Sequence, residues 1–174
     1  MTWYVALLRG IAPTNPAMAN ANLRAVAESE GLEDVATVIS SGNVVFRTDR
    51  DPEDVEAALE AAWPRELGFD SMTTLRSQAE LGTIVELNPF GDREHGAKSY
   101  LLVTFSKHPI PPIDIDPADP AVELVGLTER EIFTVTDTTM REGLGVMGRL
   151  ESGVGKTITS RTWLTVGRIL RRMG

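Results

Sequence analysis

Apolar and polar positions in the first 50 residues predict a strand, a helix and a two-stranded hairpin. Residues 3–9 form an apolar run rich in strand formers. A helix is predicted over residues 17–30, because Asn15-Pro16 and Gly31 are typical of helix ends. Its inward positions at helical spacing are Leu23, Val26 and Ala27. Residues 35–39 and 44–46 then predict two short strands.

The turn and the elements that follow complete a βαββαβ order. Ser41-Gly42-Asn43 separates the two short strands, and Gly and Asn tolerate the backbone angles of a hairpin turn. Asp51-Pro52 begins a second helix, with Asp51 as its N-cap, and Pro64 ends or kinks it. Residues 68–76 predict an edge strand. This order is that of a ferredoxin-like α+β fold.

The rest of the chain predicts a second, smaller α+β half that ends in a helix. Ser77 to Glu80 has the pattern of a capping box, so a third helix begins there. Further predictions are a strand over 99–105, a proline-rich connection over 109–120, strands over 123–125 and 131–135 around a turn at Gly126, and a final helix over 160–173 that follows a glycine-dense stretch over 143–157. We expect two halves, 1–90 and 91–174, packed as one compact unit.

Composition excludes several classes of protein. The chain of 174 residues has no cysteine, which rules out disulfides, thiolate zinc sites and cysteine nucleophiles. No apolar run approaches the roughly 18 residues of a membrane span, and the first residues lack the features of a signal peptide. We therefore expect a cytoplasmic protein with no membrane attachment.

The formal net charge of −8 argues against nucleic acid as a partner. The charge is uneven: residues 1–140 have 10 basic and 23 acidic side chains, whereas residues 141–174 have 7 basic and 2 acidic ones. Two explanations are open. The basic C-terminal segment docks on the acidic remainder, or it forms part of an anion site.

Three polar motifs at the ends of predicted elements are candidates for a ligand site. They are Arg9-Gly10 after the first strand, Ser41-Gly42-Asn43 in the hairpin turn, and Ser160, Arg161 and Trp163 at the start of the last helix. Each has a structural alternative: a surface salt bridge for Arg9, turn geometry for the hairpin, and pairing with an acidic residue for Arg161. The predicted ligand is a small anion or a protein partner.

Other motifs predict no catalytic or cofactor site. Gly153 to Thr157 resembles a phosphate-binding loop, but that motif needs a glycine at the position that Leu150 occupies. Asp92, Glu94 and His95 lack a fourth neighbouring metal ligand. No nucleophile-elbow motif supports a triad with His95 or His108. We expect no cofactor and no metal, and the catalytic residues are unknown.

Several segments together resemble the family of bacterial proteins known as domain of unknown function 1697. The matching segments are residues 4–11, 41–46, 88–90 and 160–166. The resemblance implies an α+β fold with a ferredoxin-like first half, and it implies no activity. The chain departs from the family pattern at Ala12-Pro13-Thr14-Asn15-Pro16, where an Asn, paired glycines and basic residues are usual, and at Thr162 and Leu164, where Asn is usual.

The leading functional hypothesis is a non-enzymatic protein that binds a small anion or a partner through the three polar motifs. The alternative is a small hydrolase or transferase acting on an anionic metabolite, with Arg9 and Arg161 clamping the anion. Whether the protein is an enzyme stays open. Homodimerisation through an exposed sheet edge is also possible, although the sequence specifies no such edge.

Overall fold

A computed structural model describes residues 1–116 and 118–174 as a mixed α+β protein. The strands are Thr2–Leu8 (β1), Glu33–Thr37 (β2), Asn43–Thr48 (β3), Thr73–Ser77 (β4), Tyr100–Ser106 (β5), Val122–Leu127 (β6), Glu131–Thr136 (β7) and Ile158–Thr162 (β8). The α-helices are Asn20–Ser29 (α1), Pro52–Ala62 (α2), Gln78–Leu87 (α3), Arg141–Leu144 (α4), Val146–Val154 (α5) and Trp163–Met173 (α6).

The chain divides into two compact units. Unit 1 comprises Met1–Thr83 and Gly167–Gly174, and unit 2 comprises Ile84–Val166. Each contains one four-stranded antiparallel sheet, in the order β2-β3-β1-β4 in unit 1 and β6-β7-β5-β8 in unit 2. The first strand of each unit is therefore a central strand of its sheet, and the loops at its end lie beside the ends of two neighbouring strands.

The core of unit 1 lies between one face of its sheet and the helices α1 and α2. The predicted inward positions of α1 are buried, and so are Val55, Leu59 and Ala62 of α2. Trp63 is fully buried, and its indole N–H donates to Thr73 Oγ1 at 2.9 Å. Burying a side chain of this kind stabilises a fold by roughly 1.5–3 kcal/mol, so these stripes hold the two helices on the sheet.

Two predicted helix starts are confirmed by their hydrogen bonds. The Asp51 carboxylate accepts from the backbone N–H groups of Glu53 and Asp54 at the start of α2. At the start of α3, Glu80 N–H donates to Ser77 Oγ at 3.2 Å, and Ser77 N–H donates to Glu80 Oε2 at 2.7 Å. Each cap satisfies backbone donors that have no partner within the helix.

Strand pairing in unit 2 repeats that of unit 1. Val5 of the central strand β1 lies opposite Arg76 of β4, and Val103 of the central strand β5 lies opposite Arg161 of β8. On the other side, Leu7 lies opposite Asn43 and Phe105 lies opposite Glu131. The core of unit 2 forms on one face of its sheet, where Ile132 and Ile158 pack with Val146 and Leu150 of α5. The two units therefore share strand order and pairing register.

The second half differs from what the sequence indicated in three places. The glycine-dense stretch over 143–157 contains α4 and α5 as well as a turn. The predicted turn at Gly126 lies later, over residues 128–130, because Gly126 belongs to β6 and sits opposite Phe133 at a break in the register. The predicted final helix over 160–173 begins at Trp163. Residues 158–162 instead form β8, since they pair with β5.

The prediction for the proline-rich stretch agrees with the structure where it is described. Residues 109–116 and 118–120 contain no helix or strand, and Pro117 lies outside the described residues. The first predicted helix is also shorter than expected. A 3-10 turn at Pro16–Met18 precedes α1, because Ala19 has an extended backbone with φ −61° and ψ 144°.

Candidate functional site

Two of the three predicted motifs lie together at the end of β1 in unit 1. Leu8 N–H donates to the carbonyl of Gly42 at 2.9 Å, so the chain leaving β1 runs beside the turn between β2 and β3. On its other side, Arg9 N–H donates to the carbonyl of Met72 at 2.8 Å, and the Ser71 hydroxyl donates to the carbonyl of Arg9 at 2.8 Å. We call Arg9, Gly10, Ser41, Gly42 and Asn43 the β1-end cluster.

The geometry of the cluster explains why its turn has these residues. Gly42 has φ +78°, and a Cβ built there would lie 2.5 Å from Cγ1 of Ile11. Asn43 is fully buried, and its Nδ2 donates to the carbonyl of Val38 at 2.9 Å and to Ser41 Oγ at 3.0 Å. The turn is thus closed by its own side chain, which agrees with the structural interpretation of residues 41–43.

Two hydrogen-bond donors of the cluster, from Gly10 and Ser41, have no acceptor among the described residues. Gly10 is exposed with φ +76°, and the Ser41 hydroxyl is half-buried. Within the described residues, neither the Gly10 N–H nor the Ser41 O–H donates a hydrogen bond. Arg9 adds a half-buried side chain that carries a positive charge. A cation beside backbone and hydroxyl donors is chemistry that suits an anion.

The third motif belongs to unit 2, where each of its residues has a partner within the unit. Ser160 Oγ lies 2.6 Å from Thr104 Oγ1 on the neighbouring strand β5. Trp163 begins α6 and packs edge-on against Phe90, with ring centroids 5.3 Å apart. Arg161 lies in β8 rather than in the first turn of the helix. A role for these three residues in binding stays a prediction.

Arg161 is a buried cation held by its own strand. Only 7% of the residue is exposed, and its Nη1 donates to Thr159 Oγ1 at 2.8 Å and to the carbonyl of Ser160 at 2.7 Å. Burial lowers the pKa of the guanidinium to about 10, because the charged form loses its hydration. The side chain therefore keeps its charge at pH 7.

Sequence reasoning missed a residue with the same environment in unit 1. Arg76 of β4 is 1% exposed, and its Nη1 donates to Thr74 Oγ1 at 3.2 Å and to the carbonyl of Leu75 at 2.8 Å. The signal was present as a short repeated pattern. A threonine, any residue, an arginine and a hydroxyl residue occur at 74–77 and again at 159–162.

A basic residue at the end of the central strand is also repeated. Lys107 N–H donates to the carbonyl of Thr157 at 2.9 Å, as Arg9 N–H does to Met72. Ser106 N–H donates to the carbonyl of Arg130 at 2.8 Å, as Leu8 N–H does to Gly42. Lys107 therefore occupies in unit 2 the backbone position that Arg9 occupies in unit 1.

Two loop carboxylates of unit 2 are held as anions by local donors. The Arg149 guanidinium, 2.5 Å from Asp119, lowers the pKa of that carboxyl together with the N–H groups of Ala121 and Val122. The Thr139 hydroxyl and N–H, with Lys98, lower the pKa of Asp137. The Asp137 carboxyl accepts within its own turn, whereas Asp119 also binds Arg149 of α5.

The other polar motifs have structural surroundings of their own. Gly153 and Val154 end α5, and residues 155–157 connect it to β8. His95 Nδ1 accepts from Leu101 N–H at 3.2 Å, and its ring lies 4.5 Å from that of Tyr100. Among the described residues, no three His, Asp or Glu side chains are grouped to hold a metal.

None of the helices in residues 1–116 and 118–174 combines the length and the apolar character that crossing a bilayer requires.

Comparison with solved structures finds the fold in a bacterial protein. The chain is similar to the conserved bacterial protein SP0830 from Streptococcus pneumoniae, with a TM-score of 0.74 and 22% sequence identity. The likeness covers 99% of this chain and 98% of that one. At this identity the likeness concerns the fold alone.

Comparison by sequence gives the family. No curated protein matches the chain. The model of the family described as "Protein of unknown function (DUF1697)" matches residues 1–138, well over half of the sequence and including the whole β1-end cluster. The chain therefore belongs to the DUF1697 family.

Proposed function

We propose that this protein binds a small anion at the β1-end cluster and does so without catalysing its conversion. The observation that carries the proposal is the hydrogen bond of 2.9 Å between Leu8 N–H and the carbonyl of Gly42. It joins the segment with Arg9 and Gly10 to the turn with Ser41. A cation, a backbone N–H and a hydroxyl from separate parts of the chain thereby belong to one loop cluster.

Local chemistry supports an anion even though the whole chain is acidic. The net charge is −8, but exposed charges more than a Debye length of roughly 8–10 Å apart are largely screened at physiological salt. The ligand therefore responds mainly to the groups it contacts. Hydrogen bonds with an ionised partner are about twice as strong as neutral ones, so the Arg9 guanidinium is the expected main contact.

The proposal is tested by the thermal stability of the protein in the presence of phosphate, sulfate, acetate and chloride at equal ionic strength. A ligand that binds only the folded state raises the melting temperature according to its concentration relative to Kd. We expect at least one oxyanion to raise the melting temperature of wild type over chloride. Arg9→Gln should abolish that rise, and Arg9→Lys should retain part of it.

Arg24→Gln is the matched control, because Arg24 is an exposed arginine of α1 in the same unit. It should respond to the anion as wild type does. Equal responses from wild type, Arg9→Gln and Arg24→Gln would remove Arg9 from any site. No oxyanion effect on wild type at any concentration would remove the proposed function itself.

We infer further that unit 1 has a ferredoxin-like fold. The inference is supported by the element order β1-α1-β2-β3-α2-β4 and by the antiparallel sheet order β2-β3-β1-β4. An experimental structure of the chain, compared with ferredoxin-like domains of other families, tests it. A crossing of the helices to opposite faces of the sheet would contradict it.

A further inference from the structure

A groove of about 550 Å3 lies in unit 1 and includes none of the β1-end cluster. It is lined by Trp3, Glu28, Leu32, Asp34, Val35 and Arg172. The volume falls in the range of roughly 300–1,000 Å3 that is usual for small-molecule sites. Most of the lining is polar and comes with the charged residues Glu28, Asp34 and Arg172, while Trp3, Leu32 and Val35 supply a smaller apolar part.

The charges around the groove do not cancel. The Asp34 carboxylate lies 3.2 Å from Nη1 of Arg47, and the Glu28 carboxylate lies 4.0 Å from Nε of Arg24. Both carboxylates thus have a cation of their own. Arg172 is exposed, and within residues 1–116 and 118–174 its side chain has no hydrogen bond or ion pair. The groove therefore has one surplus positive charge, which comes from Arg172.

Trp3 contributes an aromatic wall that is already fixed in place. The guanidinium carbon of Arg47 lies 5.8 Å from the centroid of its ring, a cation–π distance. Arg47 in turn binds Asp34, which has φ +52° at the break in the β2–β3 register between Glu33 and Ala36. Asp34, Arg47 and Trp3 thus form a connected row. In the described part of the chain, the indole N–H of Trp3 donates no hydrogen bond.

We propose that this groove binds a small organic monocarboxylate with an apolar aryl or alkyl body. Its carboxylate pairs with Arg172, whose planar guanidinium suits two parallel hydrogen bonds. Its body lies on Leu32, Val35 and the ring of Trp3. Removing such apolar surface from water contributes roughly 25 cal/mol per Å2.

The same residues select against other ligands. A phosphate or another multiply charged anion gains only one surplus cation, so part of its charge loses water without gaining a partner. An amine would need an unpaired carboxylate, and both carboxylates of the groove already pair with an arginine. The inference uses no residue of the β1-end cluster, so it stands apart from the proposed function.

The test follows the indole N–H signals of the full chain by NMR during titration with phenylacetate. Trp3→Phe identifies the Trp3 signal, and the Trp63 signal is an internal reference because that indole is buried and bonded to Thr73. We expect a saturable shift of the Trp3 signal alone. Inorganic phosphate and phenethylamine, at the same concentrations, should give no saturable shift.

Arg172→Gln should weaken phenylacetate binding about tenfold or more, as loss of a charge-assisted pair requires. Arg171→Gln is the matched control, because Arg171 is an exposed neighbour that does not line the groove. The Kd of this variant for phenylacetate should equal that of wild type. Thermal melts establish that both variants fold.

The proposal is overturned by the absence of a saturable shift in wild type, by equal weakening in both variants, or by comparable binding of phenethylamine. Tighter binding of a peptide whose only carboxylate is its C-terminus would overturn the assignment to a small acid.

Discussion

At the scale of single residues, two separate restrictions require glycine at position 42. Its φ of +78° is a backbone conformation that side chains with a Cβ rarely adopt, and the missing Cβ leaves room for Ile11 and Leu8. Gly10 shares the first restriction, with φ +76°, but a Cβ there would meet nothing within 4 Å. The two glycines of the β1-end cluster therefore separate backbone strain from steric crowding.

We predict that Gly42→Ala lowers the free energy of unfolding by about 3 kcal/mol and Gly10→Ala by about 1 kcal/mol. Both lose the freedom to adopt positive φ, but only the first adds a methyl group 2.5 Å from a side-chain carbon of Ile11. Urea denaturation followed by circular dichroism measures both values. Equal losses would mean that Ile11 moves aside without cost.

At the scale of elements, helix α2 covers the outer edge of strand β4. Glu60 Oε1 accepts from Thr73 N–H at 2.8 Å, and Glu56 Oε2 accepts from Leu75 N–H at 2.9 Å. The two glutamates are one helical turn apart, so their carboxylates reach alternate residues of the strand. They occupy positions that carbonyl groups of another strand would take, and so they protect this edge from pairing with a second chain.

Replacing both Glu56 and Glu60 by Ala should lower the free energy of unfolding by about 2 kcal/mol, because two backbone N–H groups lose their acceptors. We also expect self-association that rises with concentration, measured by light scattering after gel filtration. Glu56→Gln with Glu60→Gln keeps an acceptor oxygen at each position and should stay closer to wild type. The control is Glu53→Ala with Glu66→Ala, which removes two exposed carboxylates. Association of that control to the same extent would indicate an effect of charge alone.

At the scale of the whole molecule, one arrangement of strands and buried groups occurs twice. Arg76 and Arg161 occupy equivalent positions opposite Val5 and Val103, and each donates to a threonine hydroxyl and to the preceding carbonyl. Two unrelated solutions would not be expected to share register, partners and burial. The buried arginine is therefore part of how each unit is built, and we expect it to stabilise both.

Arg76→Lys and Arg161→Lys should each lower the free energy of unfolding at pH 7 by about 2 kcal/mol, since a lysine cannot reproduce the fixed geometry of a guanidinium. Arg168→Lys, at an exposed position of α6, is the control and should have little effect.

The burial that lowers the pKa of Arg161 to about 10 should also hold the introduced amine below its ordinary pKa of about 10.4. Its folded form then binds fewer protons than its unfolded form, so the deficit of Arg161→Lys should narrow as pH rises from 7 to 10. A deficit that is constant with pH would show that the amine reaches water.

The sequence by itself determined the elements of unit 1 and the family. Helical spacing, caps and turn residues are local, so α2, the start of α3 and the turn at Ser41–Asn43 followed from neighbouring positions alone. It also supplied Arg9 and Ser41 as candidates for the proposed site, because both stand at element ends. Local signals were weaker in unit 2, where the polar strand Ile158–Thr162 has no apolar alternation and its arginine matched the spacing of the next helix.

Only the tertiary structure decided which of these residues share a neighbourhood. Strand pairing is a contact between distant parts of the chain, and its register placed the Arg9 segment beside Gly42 and Arg161 opposite Val103. It likewise brought Arg172, near the end of the chain, to the same groove as Trp3 near its beginning. Periodicity specifies which side of an element is buried, whereas the partner on that side depends on sheet order, which no short segment encodes.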